Sequence, residues 1–273
     1  MNPIKVFLTA LLSFAGLIGS ANISCAAADG TDDASQPAYQ PNWPIDSNGE
    51  ATGDAFLPWS MTSGTGSAGF AGFFLGDSTT LNDPGADINV SGDSWGLFAN
   101  GDPAAAAYAQ RSFTADGSTV FALDVDQTFS INIAVNYRNG EKGFNLLDAS
   151  NDTLFTLQIG DDAYTVYDAA TGDGTLPDQT YDSDTAFALS FTQTTAGSGT
   201  WTVTRTGGQT DFASGTYDGD AAGFRLYIQD TGNTASDNLY ANSLVIASVP
   251  EPSPMGLIAC GTGALVLLRW RRR

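Results

Sequence analysis

The sequence predicts an all-β protein, an antiparallel two-sheet sandwich of jelly-roll type, and three observations carry that prediction. Short segments alternate apolar and polar residues with a period of two, which places every second side chain on a buried face. Glycine, aspartate and asparagine bound those segments at turn positions. Between residues 29 and 249 no stretch carries the period of a convincing amphipathic helix, and Ala104 to Arg111 offers two helical turns at most. Roughly ten to fourteen strands in one continuous block are best buried as two packed sheets.

In chain order, residues 1–28 read as a signal peptide with its helix. Lys5 gives the positive start, Val6 to Ile18 the apolar stretch, and Ala26-Ala27-Ala28 a small-x-small site cleaved between Ala28 and Asp29. Signal peptidase is therefore an expected partner. Residues 29–54, rich in Asp, Ser, Pro and Asn, read as a flexible linker. A sandwich domain over 55–248 follows, with a first strand near Ala55 to Trp59. Phe129, Ile131, Ile133, Val135 and Tyr137 share one face, and Asn139-Gly140 predicts a hairpin back through Gly143 to Leu147. Within that turn Arg138, Glu141 and Lys142 predict a cross-turn charge pair. Leu154 to Ile159 and Tyr164 to Tyr167 flank Gly160-Asp161-Asp162 as a second hairpin. Phe187, Leu189 and Phe191 face inward, as do Trp201 and Val203 across the turn at 196–199. Phe224, Leu226 and Ile228 mark another strand, and Leu239 to Ile246 the last.

The span from Phe113 to Ile246 is similar to concanavalin-like or laminin-G-like sandwiches. The carriers are Gly143-Phe144-Asn145-Leu146, Trp201-Thr202-Val203-Thr204, Phe224-Arg225-Leu226-Tyr227 and Asn238-Leu239-Tyr240. That resemblance implies a fold on which carbohydrate binding is common, although a fold alone assigns no function.

Residues 249–273 form a second address. Prolines 250, 252 and 254 break structure, Met255 to Leu268 is apolar, and Arg269-Trp270-Arg271-Arg272-Arg273 closes the chain. The pattern predicts a transmembrane helix over about 254–270, short for a span, with its basic end held in the cytoplasm. Pro250-Glu251-Pro252, the short apolar helix and the terminal arginines (Arg269, Arg271, Arg272, Arg273) together resemble the PEP-CTERM sorting signal. The resemblance implies recognition of Pro250, Glu251 and Pro252 by an exosortase, a membrane cysteine transpeptidase. It also implies export in a Gram-negative bacterium that makes extracellular polysaccharide. The protein would be anchored in the inner membrane, then processed to the cell surface or matrix.

Charge is segregated along the 273 residues, whose formal net charge is −20. Between the two addresses five basic residues face 29 acidic ones, the 30 of the whole chain less Glu251, a local charge of −24. Such a domain repels nucleic acid. With no histidine in the chain, imidazole metal ligands and histidine-activated nucleophiles are absent. Cys25 and Cys260 both lie outside the sandwich, which folds without a disulfide. Glycoside hydrolysis needs two placed carboxylates, yet Glu50 and Glu141 are the only glutamates between the addresses, and Asp124-x-Asp126 looks like a turn. No Gly-x-Ser-x-Gly elbow occurs.

The expectation is therefore a non-catalytic protein of the cell surface or matrix, structural, adhesive or associated with exopolysaccharide. One alternative is a carbohydrate-binding module assisted by calcium; a second is an aspartate-dependent glycoside hydrolase. Candidate glycan contacts are Asn132, Asn136, Tyr137, Arg138 and Trp201, aromatic faces beside amide groups. No cofactor is expected except calcium, which takes only oxygen ligands; its candidates are Asp161, Asp162 and Asp230, with further aspartate-rich loops at 168–173 and 178–184.

Overall fold

Alternation along β6 (Gln127–Val135) sets the pattern for the molecule. Phe129, Ile131, Ile133 and Val135 are buried while Thr128, Ser130 and Asn132 stay half-exposed. Successive strand side chains point to opposite faces, so one apolar series commits the strand to one side of a core. The computed structural model describes residues 27–47, 49, 55–81, 86–160, 162–168, 172–232, 234 and 237–248.

Among the described residues fifteen strands build two sheets, and every pairing between these strands is antiparallel. The remaining strands are β1 (Gly30–Asp32), β2 (Ser60–Thr65), β3 (Phe70–Gly76), β4 (Ser94–Asn100), β5 (Ala105–Ser112), β7 (Glu141–Leu147) and β8 (Thr153–Gly160). After them come β9 (Ala163–Asp168), β10 (Gly172–Thr175), β11 (Thr185–Thr195), β12 (Ser198–Thr206), β13 (Asp211–Asp218), β14 (Gly223–Gln229) and β15 (Leu239–Ser248). One sheet has eight strands in the order β13-β12-β11-β6-β15-β4-β3, with β1 added beside β15. The other has seven in the order β10-β9-β8-β7-β14-β5-β2.

The sheets meet through aromatic rings. Phe129 stacks on Phe224 at 5.0 Å between centroids, and Phe144 on Phe191 at 5.2 Å, so each pair bridges the two sheets. Stacking adds about 0.5–1.5 kcal/mol per pair beyond the burial of the rings themselves.

Four expectations are corrected. The expected flexible linker over 29–54 is folded where it is described, at 29–47: β1 pairs with β15, Tyr39 is fully buried and Trp43 nearly so. The composition misleads because a few residues of a polar segment, Asp32, Ala34, Tyr39 and Trp43, are buried while most of the others stay at the surface. Ala104 to Arg111 is not helical but forms most of β5, where Ala105, Ala107 and Ala109 face inward. Helix propensity is a weak prior, and pairing on both sides of β5 overrides it. Asn139-Gly140 is not a hairpin turn, because β6 and β7 lie in different sheets; Gly140, at φ 66°, turns the chain across the sandwich. The charge pair expected there does not form. Arg138 donates to the Gln179 carbonyl, Glu141 accepts from Gln229, and Lys142 is buried.

Of the signal peptide expected over 1–28, residues 1–26 lie outside the described residues, and so does the whole of the expected sorting segment 249–273, with Pro250, Glu251, Pro252, Arg269, Arg271, Arg272 and Arg273. Among the described residues no helix is long and apolar enough to cross a membrane.

Candidate functional site

The outer face of the seven-stranded sheet concentrates the chemistry. Strand register places Gln110, Arg225, Asn145, Thr156 and Tyr167 in one row across β5, β14, β7, β8 and β9. The next row holds Tyr108, Tyr227, Gly143, Gln158 and Thr165, and beyond it Gln229 stands beside Glu141. Arg225 donates from Nε and Nη2 to Oε1 of Gln110, at 3.1 and 2.7 Å, and Gln110 in turn donates to Asn151. Tyr108 donates to Gln229 at 3.2 Å, and Gln229 to Glu141 at 2.7 Å. Two amides thus hold the guanidinium and the carboxylate in place. Oδ1 of Asn145, between Arg225 and Thr156, is buried without a hydrogen-bond partner. A buried amide oxygen left unpaired costs on the order of 1–3 kcal/mol, which a hydroxyl donor would relieve.

Tyr227 owes its position to Gly143. The two are cross-strand partners, and a Cβ on Gly143 would lie 3.1 Å from the Tyr227 hydroxyl and 1.9 Å from the Leu157 carbonyl oxygen. Burial pushes the Tyr227 phenol well above its ordinary range, with Glu141, Tyr167 and Tyr108 adding to the shift. It therefore remains a neutral donor at every physiological pH.

The eight-stranded sheet turns a different face outward. Thr128, Thr192, Thr200 and Thr216 line up across β6, β11, β12 and β13, and the next row is Ser130, Ser190, Thr202 and Ser214. Beyond it come Asn132, Ala188, Thr204 and Phe212. These rows carry no charged side chain, and Asp218, one step past Thr216, marks the rim. At the other end Ala86 and Ile88 pack over Ala134 and Tyr240 and close the face.

The predicted glycan contacts are dispersed. Trp201 belongs to the core: it is 4% exposed and donates to Asp168 at 3.1 Å, so its candidacy is withdrawn. Its inward alternation with Val203 already pointed there. Asn132 lies on the hydroxyl-bearing face of the eight-stranded sheet. Asn136, Tyr137 and Arg138 do come together at one end of the sandwich. Tyr181 donates to Asn136 and stands 6.4 Å from the Tyr137 ring, while Arg138 lies 5.0 Å from the Tyr164 ring centroid. The sequence offered Asn145 and Tyr167 only as single groups suited to sugar and did not reveal Gln110, Tyr108, Arg225 and Gln229 beside them, because β5, β7, β9 and β14 become neighbours only through the sheet. The alternation of Arg225, Tyr227 and Gln229 against Phe224, Leu226 and Ile228 was the one signal available.

For calcium, Asp161 lies outside the described residues, and Asp162 and Asp230 occupy turn positions with φ of 62° and 51°. Asp182 and Asp184 lean on each other, the first shifted up and the second down by their mutual hydrogen bond. Among the described residues no three metal-ligating side chains gather at one point. Beside the 230–238 loop, Nζ of the buried Lys142 donates to the carbonyls of Tyr137 and Asp237 at 2.8 and 2.7 Å. The predicted cleavage point is also part of the fold. Ala27 and Ala28 donate to the carbonyls of Ala122 and Thr114 at 2.9 and 2.8 Å, and Gln127 donates to the Ala27 carbonyl. Cleavage between Ala28 and Asp29 would remove these bonds.

The fold defines the class, a two-sheet antiparallel β-sandwich. No family model matches the chain, and no curated protein matches it. Similar solved structures include an alginate lyase from Corynebacterium sp. at TM-score 0.42 and 14% identity, covering 72% of this chain and all of that one. The alginate lyase AlgAT5 of polysaccharide lyase family 7 gives 0.33 and 15%, over 62% of this chain and 84% of that one. The galectin LEC-6 of Caenorhabditis elegans gives 0.29 and 9%, over 45% and 84%. The expectation of a non-catalytic domain is corrected: alginate lyases are among the structures similar to this sandwich, and a fold alone assigns neither catalysis nor its absence.

Proposed function

We propose that the chain is an exported protein of the cell surface or extracellular matrix that associates with polysaccharide through the outer face of its seven-stranded sheet. The observation that supports this reading is the row Gln110–Arg225–Asn145, in which a guanidinium held by an amide adjoins an unpartnered buried amide oxygen. Such groups meet sugar hydroxyls and carboxylates alike, and Tyr108 and Tyr167 add ring surface beside them. The two terminal segments support the address: signal peptidase at the N-terminus, and an exosortase-like transpeptidase acting on Pro250-Glu251-Pro252. The protein would then pass from an inner-membrane anchor to the surface or matrix of a Gram-negative cell.

The test is a glycan array probed with the purified protein, with and without chelator, and with Arg225→Ala and Asn145→Ala. Binding to at least one glycan, weakened about tenfold or more by either substitution, is expected from losing one charged or buried hydrogen bond. Loss with chelator would add calcium to the site. Glycans that bind are then incubated with the protein and assayed for chain cleavage, which would make the same face an active site. An array without a bound glycan overturns the proposal.

A further inference from the structure

We infer that the signal segment is removed between Ala26 and Ala27, so that the mature chain begins at Ala27 and keeps two residues that the sandwich uses. The inference rests on the export proposed above and moves the cut upstream of the Ala28–Asp29 bond. Its first argument is what residues 27 and 28 do in the fold. Ala27 is 4% exposed and belongs to the hydrophobic core, and Ala28 packs against that core. The Ala27 amide donates to the Ala122 carbonyl at 2.9 Å and the Ala28 amide to the Thr114 carbonyl at 2.8 Å, which ties together the two arms of the 114–122 loop. Buried Gln127 donates from Nε2 to the Ala27 carbonyl at 2.8 Å and to Oδ1 of Asp29 at 2.9 Å.

A cut between Ala28 and Asp29 conflicts with this arrangement in either order of events. Made before folding, it discards both residues and takes their amide donors from the Thr114 and Ala122 carbonyls, and a buried carbonyl left unpaired is costly. Made after folding, it requires a bond held by hydrogen bonds on both sides, whereas proteolysis concentrates on exposed, loosely held chain. Hydrolysis of the Ala26–Ala27 bond avoids both conflicts. The C–N bond breaks, the water oxygen completes a carboxylate on Ala26, and both water protons end on the Ala27 nitrogen. That nitrogen remains a donor for the Ala122 carbonyl, now as an ammonium, and charge strengthens such a bond. Ser24-x-Ala26 supplies a small-x-small site there, and Gly19 to Ala26 separates the cut from the apolar stretch. The earlier pair Gly19-x-Ala21 abuts that stretch directly.

The experiment expresses the full chain in a Gram-negative host, separates cytoplasmic, membrane and exported fractions, and reads the first residue of the processed protein by N-terminal sequencing. A chain beginning at Ala27 is the expected result. One that leaves the cytoplasm but begins at Asp29, or at any other residue, overturns the inference while export stands. Retention in the cytoplasm with Met1 in place overturns the export reading along with it. Deleting Ala27 and Ala28 keeps Ser24-x-Ala26 ahead of Asp29, so that variant matures to a chain starting at Asp29. Its thermal midpoint is expected to fall by about 5 °C or more for the lost hydrogen bonds, and a midpoint equal to that of wild type overturns the inference. Where the deletion prevents folding, Ala28→Phe carries the test by placing a large residue just before the Ala28–Asp29 bond. Processing to Ala27 should persist in that variant, and failure to process it overturns the inference.

Discussion

Lys142 is the residue at which sequence and structure diverge most sharply. It sits beside a glycine in a polar stretch, yet its side chain is fully buried and bonded to two backbone carbonyls from different loops. Burial lowers its pKa to about 8, with Asp237 opposing the shift. Between that value and its ordinary value near 10.5, the unfolded chain holds a proton that the folded chain has released. Stability contributed by this group therefore rises with pH across that window and is lowest below about pH 8. Buried phenols act oppositely above pH 10, since Tyr39, Tyr217 and Tyr227 keep their protons only when folded. The difference between wild type and Lys142→Met isolates the lysine. Urea midpoints measured from pH 7 to 10 should rise in wild type relative to the variant, and parallel curves would refute the assignment. No periodicity argument could have placed this ammonium, because its partners Tyr137 and Asp237 come from separate loops.

At the scale of elements, β1 and the segment behind it show how a short edge is fixed. Asp32 is paired with Arg111 of β5, with both side chains fully buried, and Tyr39 donates to the same carboxylate. Tyr39 in turn accepts from Gly49 at 3.1 Å and from Trp59 at 3.3 Å. Burial pushes the Asp32 carboxyl up against the pull of Arg111 and Tyr39. Arg111 also donates to the Leu57 carbonyl and lies 5.0 Å from the Phe56 ring centroid. Removing one partner of a buried pair strands the other, so Arg111→Leu should cost about 3–5 kcal/mol. Urea denaturation measures that loss, and protease digestion should find new cleavage between residues 33 and 47. A change below 1 kcal/mol would show the segment to be held by packing alone. Strands such as β6 and β14 were legible because a two-residue period needs no partner to be seen. The strap was not, since three residues of β1 carry too little period, and its anchor is an arginine 79 positions away.

For the molecule as a whole, the net charge divides into an acidic middle and two ends that carry the remaining bases, and the sorting role proposed for the C-terminal end can be tested apart from the fold. Replacing Pro250, Glu251 and Pro252 by alanine should leave the protein in the inner membrane, read by fractionation; unchanged release would refute the sorting proposal. The amino-acid sequence alone determined the sandwich class, its strand faces and its acidic surface, because alternation and composition are local properties of the chain. It also supplied the resemblance of the tail to a sorting signal, since that signal is a linear motif. Only the tertiary structure decided that residues 30–47 belong to the fold, that the turn after β6 crosses between sheets, and that Trp201 is core. It alone brought Gln110, Arg225 and Asn145 into one row and the threonines and serines into another. Those rows depend on which strands become neighbours, and strand order is set by long-range pairing that no local pattern encodes.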